Sequence, residues 1–254
     1  MIFFVVVLAI VQGLTEFLPV SSSGHLVLLN KFFGIQNDFL LLSVILHVAT
    51  LFSVLLVLRK DIVQLFKDPF GKLSQKLIIS TIPTVLIVIL FKSFIDSSFD
   101  GRFLPFCFML TAVLLVVSEI ISKKAESRQK PISKTMALIM GIAQGIAVLP
   151  GISRSGATIC SGLIQKGKRE EITHFSFLMS IPIILASLVL EIYEYISVGQ
   201  ALTLVWYELV IGFIVAFITG VFAVKFMLNV VKKHSLVWFA IYLFVIAIVS
   251  FFVI

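Results

Sequence analysis

Charge is scarce in this chain. Asp, Glu, Lys and Arg make up 13% of its 254 residues, where soluble domains carry about 25%. So little charge cannot cover a water-facing surface, which excludes an ordinary soluble domain. Cysteine is scarce too. Cys107 and Cys160 both lie in apolar sequence without metal-ligand spacing, so they read as inert buried thiols rather than a disulfide or zinc framework. No Walker, dinucleotide or zinc pattern occurs.

What fills the chain is apolar: 60% of residues are hydrophobic and the mean hydropathy is +1.16. This is the composition of an integral membrane protein. Crossing a bilayer core takes roughly 20 apolar residues. Six stretches are long enough: 39–58, 76–95, 103–121, 174–194, 206–226 and 236–253. The N-terminal apolar run lacks a basic flank and meets Glu16 and Pro19, so no cleavable signal peptide is expected.

The net charge of +7 does not point to nucleic acid. Its cations gather in short loops: Arg59, Lys60, Lys67, Lys72 and Lys76; Lys123, Lys124, Arg128, Lys130 and Lys134; Lys166, Lys168 and Arg169; Lys225, Lys232 and Lys233. By the positive-inside rule these loops are expected in the cytoplasm. Opposite them, 92–102 includes Asp96 and Asp100, and 191–206 has no Lys or Arg. Topology accounts for nearly all these charges; contact with anionic lipid is allowed but not required.

One phrase occurs twice. Gln12-Gly13 precedes Ser21-Ser22-Ser23-Gly24, and Gln144-Gly145 precedes Ser153-Arg154-Ser155-Gly156. The offset is 132 residues in both parts (144 less 12, 153 less 21), and Pro19 and Pro150 break the intervals. Given the topology above, 1–35 begins and ends outside and 135–168 begins and ends inside. Each would be a re-entrant helical hairpin, tolerated only where buried in protein or lining a wet cavity. The expected fold is therefore an all-α integral membrane protein of about six transmembrane helices plus two re-entrant hairpins in an inverted-topology repeat. The whole chain, 1–254, forms one membrane domain, with repeats near 1–121 and 135–254. Ser80-Thr81-Ile82-Pro83 and Met179-Ser180-Ile181-Pro182 give a weaker echo.

Ser and Gly placed just before a helix restarts offer hydroxyls and free backbone N–H groups to an anion. Gly24 and Gly156 permit close backbone approach. The copies differ in their charged groups: Glu16 and His25 in the first, Arg154 in the second. A charge at mid-bilayer costs about 2.5–3.5 kcal/mol on insertion scales, so these residues suggest function. Arg154 offers a planar fork suited to phosphate, or an internal ion pair with Glu16. Gln12 and Glu16 share a helix face, and two oxygens so spaced suit Mg²⁺ or Ca²⁺; an interhelical hydrogen bond is the alternative for Gln12, since Gln144 repeats it without an acid. His25 suits general acid–base work. Any first-loop serine could be a nucleophile, and Ser22 is where the copies diverge. Ser21 and Ser23 have serine counterparts, which suits scaffolding or phosphate binding. His47 reads as a packing residue, Glu119, Glu191 and Glu194 as span-end acids, and Tyr193, Tyr195, Trp206 and Tyr207 as interface aromatics.

The stretch from Gln12-Gly13-Leu14-Thr15-Glu16 through Pro19-Val20-Ser21-Ser22-Ser23-Gly24-His25 resembles the first signature of the undecaprenyl pyrophosphate phosphatase family, the BacA/UppP type linked to bacitracin resistance. Pro150-Gly151-Ile152-Ser153-Arg154-Ser155-Gly156-Ala157-Thr158 is similar to its second. The likeness extends over essentially the whole chain; where the family begins its first motif with Glu or Gln, this chain has Gln12. The resemblance implies hydrolysis of undecaprenyl diphosphate to the monophosphate and phosphate, a divalent cation, and a site open to the outer face of the bacterial plasma membrane. By position it implies Glu16, Ser22, His25 and Arg154 as catalytic, Gln12 with Glu16 as metal-associated, and Ser153, Ser155 and Thr158 as second-motif polar residues alongside Gly156. Ser22 would be the nucleophile and His25 the base, with attack by a metal-bound water the open alternative. The expected partners are a polyprenyl diphosphate and membrane lipids; a homodimer is compatible with the sequence. A polyprenyl-phosphate flippase using the same midplane site is the competing function, and a non-catalytic bacitracin-binding membrane protein a third.

Overall fold

The computed structural model describes residues 2–33, 39–198 and 205–254. Its regular structure is helical, apart from one isolated bridge between Lys130 and Gly167. In chain order the helices are α1 (Ile2–Thr15), α2 (Ser22–Phe33), α3 (Phe39–Val57), α4 (Arg59–Lys67), α5 (Lys72–Leu90), α6 (Lys92–Ser98), α7 (Leu104–Lys124), α8 (Lys134–Ile146), α9 (Arg154–Ile164), α10 (Arg169–Val198), α11 (Trp206–Lys233) and α12 (Val237–Val253).

Among the described residues, α5, α7, α10 and α11 are long and apolar enough to cross a membrane. A fifth crossing results if α3 and α4, bent by 77°, count as one. This makes a multi-pass membrane protein. The stretch expected at 76–95 is shifted: α5 ends at Leu90, because Phe91 leaves helical geometry (φ −110°, ψ 17°) before the short α6 begins. The 34–35 end of the first expected hairpin lies outside the described residues.

The exposed surface explains why these runs stay helical. Ile78, Ile82, Leu86 and Ile89 line one side of α5; Val210, Ile214, Ile218 and Phe222 line one side of α11; all are exposed. A face so apolar, repeated at helical spacing, is at home against hydrocarbon, where the helix satisfies its own backbone. Inside the bundle, hydroxyls bond back onto carbonyls or across to neighbours. Ser53 donates to the Phe217 carbonyl at 2.9 Å, and Thr84 to the Gly141 carbonyl at 2.8 Å. Small residues and interhelical hydroxyls are how membrane helices approach closely.

The helix pairings exchange the two halves. α1 packs on α11 and α8 packs on α5, while α7 lies against α12 and α3 against α10. At residue level, a Cβ on Gly13 would meet Thr219 and a Cβ on Gly145 would meet Ile87; both partners are again 132 residues apart. The proline echo does not share this register. Pro83 lies within α5 and Pro182 within α10, 99 residues apart.

Candidate active site

α1 and α8 are both too short to cross a bilayer: at 1.5 Å per residue, 14 residues extend about 21 Å. Each ends in a proline-containing turn, and a second short helix restarts. The caps of these restarts are equivalent serines. Ser153 Oγ accepts from the Gly156 N–H at 3.0 Å. Ser21 Oγ accepts from the Gly24 N–H at 3.3 Å. Ser21 holds a left-handed backbone (φ 69°), uncommon for a residue with a side chain, and its hydroxyl also accepts from the Gly151 N–H of the second elbow at 3.2 Å.

That last bond begins a direct junction between the elbows. Ser155 Oγ donates to the Leu18 carbonyl at 2.8 Å. Thr111 on α7 accepts from the Ser153 N–H at 3.1 Å. Gly24 sits so close to Gly151 that a Cβ there would fall 2.8 Å from the Gly151 Cα and 2.7 Å from the Phe108 ring. Gly24→Ala should therefore destabilise the fold by about 1–3 kcal/mol, the usual range for overpacking. Thermal unfolding of the purified variant checks this; a midpoint equal to wild type contradicts the junction.

The charged residues meet at the same place. Arg154 Nη2 lies 2.5 Å from Glu16 Oε1. Ser22 Oγ donates to Glu16 Oε2 at 2.6 Å, and Gln12 Nε2 donates to the same oxygen at 3.0 Å. The internal pair weighed for Arg154 is thus formed, yet it does not exhaust the guanidinium: Nη1 is buried with no hydrogen-bond partner. An unpaired buried donor on a charged group is costly. Its natural partner is an anionic oxygen.

Gln12 presents the complementary case. Its amide nitrogen must face the Glu16 carboxylate, since the amide oxygen there would be repelled. Oε1 is then left buried and unpartnered. Among the described residues no three His, Cys, Asp or Glu side chains cluster to cage a metal. One carboxylate and one free amide oxygen nevertheless fit a hard cation that completes its shell with water and phosphate oxygens.

His25 faces away from Ser22. Its Nδ1 is 2.7 Å from the Ser21 carbonyl and its Nε2 2.7 Å from the Tyr242 hydroxyl. The carbonyl can only accept, so Nδ1 carries the proton and Nε2 accepts from Tyr242. The tyrosine ring stacks on the imidazole, 4° from parallel. In this arrangement the hydrogen-bond partner of Ser22 is Glu16, not His25.

The remaining polar residues of the motifs are structural in their contacts. Ser21 and Ser153 cap, Ser153 and Ser155 hydrogen-bond each other at 3.2 Å, and Thr158 reaches Ser176 of α10 at 2.6 Å. Ser23 is half-buried and Gly156 buried. Tyr242 went unnoticed in the sequence, because nothing marks one tyrosine in an apolar helix 217 residues from its partner. His47 is more than packing: its Nδ1 is 3.4 Å from Glu191.

Comparison with known proteins gives a consistent answer. A sequence model of the family described as "Bacitracin resistance protein BacA" matches residues 5–249. The chain is 41% identical over 249 residues to a protein of Carboxydothermus hydrogenoformans named undecaprenyl-diphosphatase, covering 95% of this chain and 93% of the relative. It is 39% identical over 250 residues to a protein of the same name from Halothermothrix orenii, covering 97% and 96%. A Christiangramia forsetii protein, again so named, is 39% identical over 261 residues, covering 98% and 97%.

Proposed function

The chain belongs to the bacitracin resistance protein BacA family, and from that premise we infer that it is an undecaprenyl-diphosphatase. It hydrolyses undecaprenyl diphosphate to undecaprenyl phosphate and inorganic phosphate. The observation in the structure that carries this reading is the meeting of Glu16, Ser22 and Arg154 with one guanidinium nitrogen left over.

The chemistry follows from those contacts. The terminal phosphate takes the free Nη1 of Arg154 and draws Nη2 away from Glu16, exchanging an internal ion pair for a bidentate clamp. Freed of the guanidinium, Glu16 takes the proton of the attacking hydroxyl. That hydroxyl is Ser22's, already donating to Glu16 Oε2; its oxygen bonds to the terminal phosphorus as the bond to the bridging oxygen breaks. The bridging oxygen stays with the lipid as the monophosphate, and water then releases phosphate from the serine. Direct attack by water, with Glu16 as base, differs only in omitting the serine ester. Gln12 Oε1 and Glu16 would hold the Mg²⁺ or Ca²⁺, whose charge offsets that of the diphosphate. His25 Nε2 faces Tyr242, so a proton that His25 exchanges with the site passes through the Tyr242 hydroxyl.

The architecture that suits this chemistry is six transmembrane helices and two re-entrant hairpins, α1–α2 and α8–α9, in inverted repeats near 1–121 and 135–254. The exchanged pairings of α1 with α11 and α8 with α5 support it, and the positive-inside reading of the basic loops supports a first elbow open to the outside of the plasma membrane. A C55 chain can then stay in lipid while its headgroup enters between the elbows. Glu16 and His25 stand in one repeat and Arg154 in the other, a specialisation that favours catalysis over symmetric transport.

The test is phosphate release from a polyprenyl diphosphate by purified protein with Mg²⁺ or Ca²⁺, and with chelator. Release that requires the cation is expected; none above background under any metal condition overturns the assignment. Ser22→Ala should reduce release to background, while Ser21→Ala, which removes a cap, should be milder; robust turnover by Ser22→Ala would establish direct water attack. Tyr242→Phe deletes the hydrogen bond to His25 Nε2 but keeps the stacked ring. It should lower the rate several-fold and displace the pH–rate profile, whereas an unchanged profile would remove His25 from proton transfer.

A further inference from the structure

The bend between α3 and α4 forms a second feature, built from residues outside the elbows. α4 leaves α3 at 77° and buries none of its residues. Val63 and Phe66 are exposed on it, as is Phe70 beyond it, while Arg59, Lys60 and Lys67 supply charge. A short helix with apolar and basic faces, turned across the end of a spanning bundle, is suited to lie in the membrane interface.

The crook of this bend, with α10 and α11, borders an open cavity of about 520 Å³. Arg59, Lys60 and Lys225 line it, with Asp61 and His174. Asp61 is turned to His174 at 3.3 Å. None of the three cations makes an ion pair among the described residues. Three cations against one carboxylate leave the lining net positive.

Topology alone does not account for this. The positive-inside rule asks for Lys and Arg in a loop and is indifferent to whether they converge. Lys225 is not in a loop; it lies inside α11, which continues to Lys233. Nor does the duplication require these charges. At the positions 132 residues away stand Glu191, Ile192 and Ser93.

We propose that this cavity binds the phosphate-bearing headgroup of an anionic phospholipid, with Arg59, Lys60 and Lys225 as its cations and the apolar face of α4 beside the acyl chains. Basic pockets between spanning helices at the interface have this use, and the volume lies within the range of small-molecule sites. The lining shares no residue with the elbows, and the proposal does not depend on the hydrolytic assignment.

The test uses the full-length protein in phosphatidylcholine vesicles, with a trace of spin-labelled phosphatidylglycerol or spin-labelled phosphatidylcholine. Electron spin resonance reads the motion-restricted fraction of each label. Wild type should retain phosphatidylglycerol several-fold more than phosphatidylcholine. Arg59→Gln/Lys60→Gln/Lys225→Gln should bring that ratio near one, and Lys225→Gln alone should lower it by about half. Lys124→Gln/Lys130→Gln/Lys134→Gln removes the same charge from another loop and should leave the ratio unchanged. An equal loss in both triple variants means that overall charge attracts the lipid, and overturns the proposal. Abolition of the ratio by excess inorganic phosphate, with no effect of chloride at equal ionic strength, would make the cavity a free-phosphate site and overturn its lipid assignment. A ratio near one in wild type overturns it outright. Monodisperse elution of each variant shows that it is folded.

Discussion

Glu16→Gln should lower phosphate release by at least about 100-fold, within the range of about 10²–10⁴ for loss of a general base. The substitution keeps the shape of the side chain and leaves Gln12 and Ser22 within reach, but an amide cannot take the hydroxyl's proton. It also removes the charge facing Arg154. Breaking a buried pair by neutralising one partner leaves the other exposed to the full cost of burial, about 3–5 kcal/mol, so a lower melting temperature is expected as well. The two effects separate in one experiment. Inorganic phosphate offers Arg154 a replacement anion, and it should raise the melting temperature of Glu16→Gln more than that of wild type, without restoring turnover. Near-normal turnover would remove Glu16 from the chemistry. Loss of turnover with no differential phosphate effect would mean that Arg154 does not face an anion site.

Arg154→Lys is the second large effect, expected at about 100-fold in kcat/KM, the scale for losing one donor to developing charge. Lysine keeps the positive charge and can still approach Glu16. It lacks the second nitrogen, and the structure shows that nitrogen, Nη1, without a protein partner. A point charge cannot bridge two phosphate oxygens as the planar fork does. Because the fork acts on both bound substrate and transition state, KM should rise and kcat fall together. A variant with wild-type kcat/KM would show that Arg154 serves only its ion pair with Glu16.

The sequence carried more of the site than of the fold's detail. The 132-residue offset between Ser21 and Ser153 already paired the two elbows, because a duplicated motif keeps its register even when the helices around it drift. The apolar background also made Glu16, His25 and Arg154 stand out, and for Arg154 it offered both a phosphate role and an internal pair with Glu16, of which the structure shows the pair. What the sequence did not contain was direction. His25 follows Ser22 by three residues, a spacing that suggested that they act together, yet each side chain has its own partner. Ser22 reaches back to Glu16, and His25 crosses to Tyr242. Of the serines expected to bind phosphate, Ser21 and Ser153 cap helices and Ser155 bonds the Leu18 carbonyl, contacts that composition does not announce. The break at Phe91 falls just before Lys92 and Ser93, which close the apolar run; Phe94 and Ile95 resume it, and so the expected span ran on to 95. Long-range pairings such as His47 with Glu191 depend on how α3 meets α10, which no local pattern encodes.

The central claim is that residues of the two elbows work as one site, and coupling between them tests it most directly. Phosphate release by wild type, Glu16→Gln, Arg154→Lys and the double variant forms a complete cycle. If Glu16 and Arg154 act on the same phosphate, the double variant should be no slower than the slower single one, since each substitution already dismantles the shared unit. A double variant whose rate falls by the product of the two single losses would place the residues in independent roles and contradict the account.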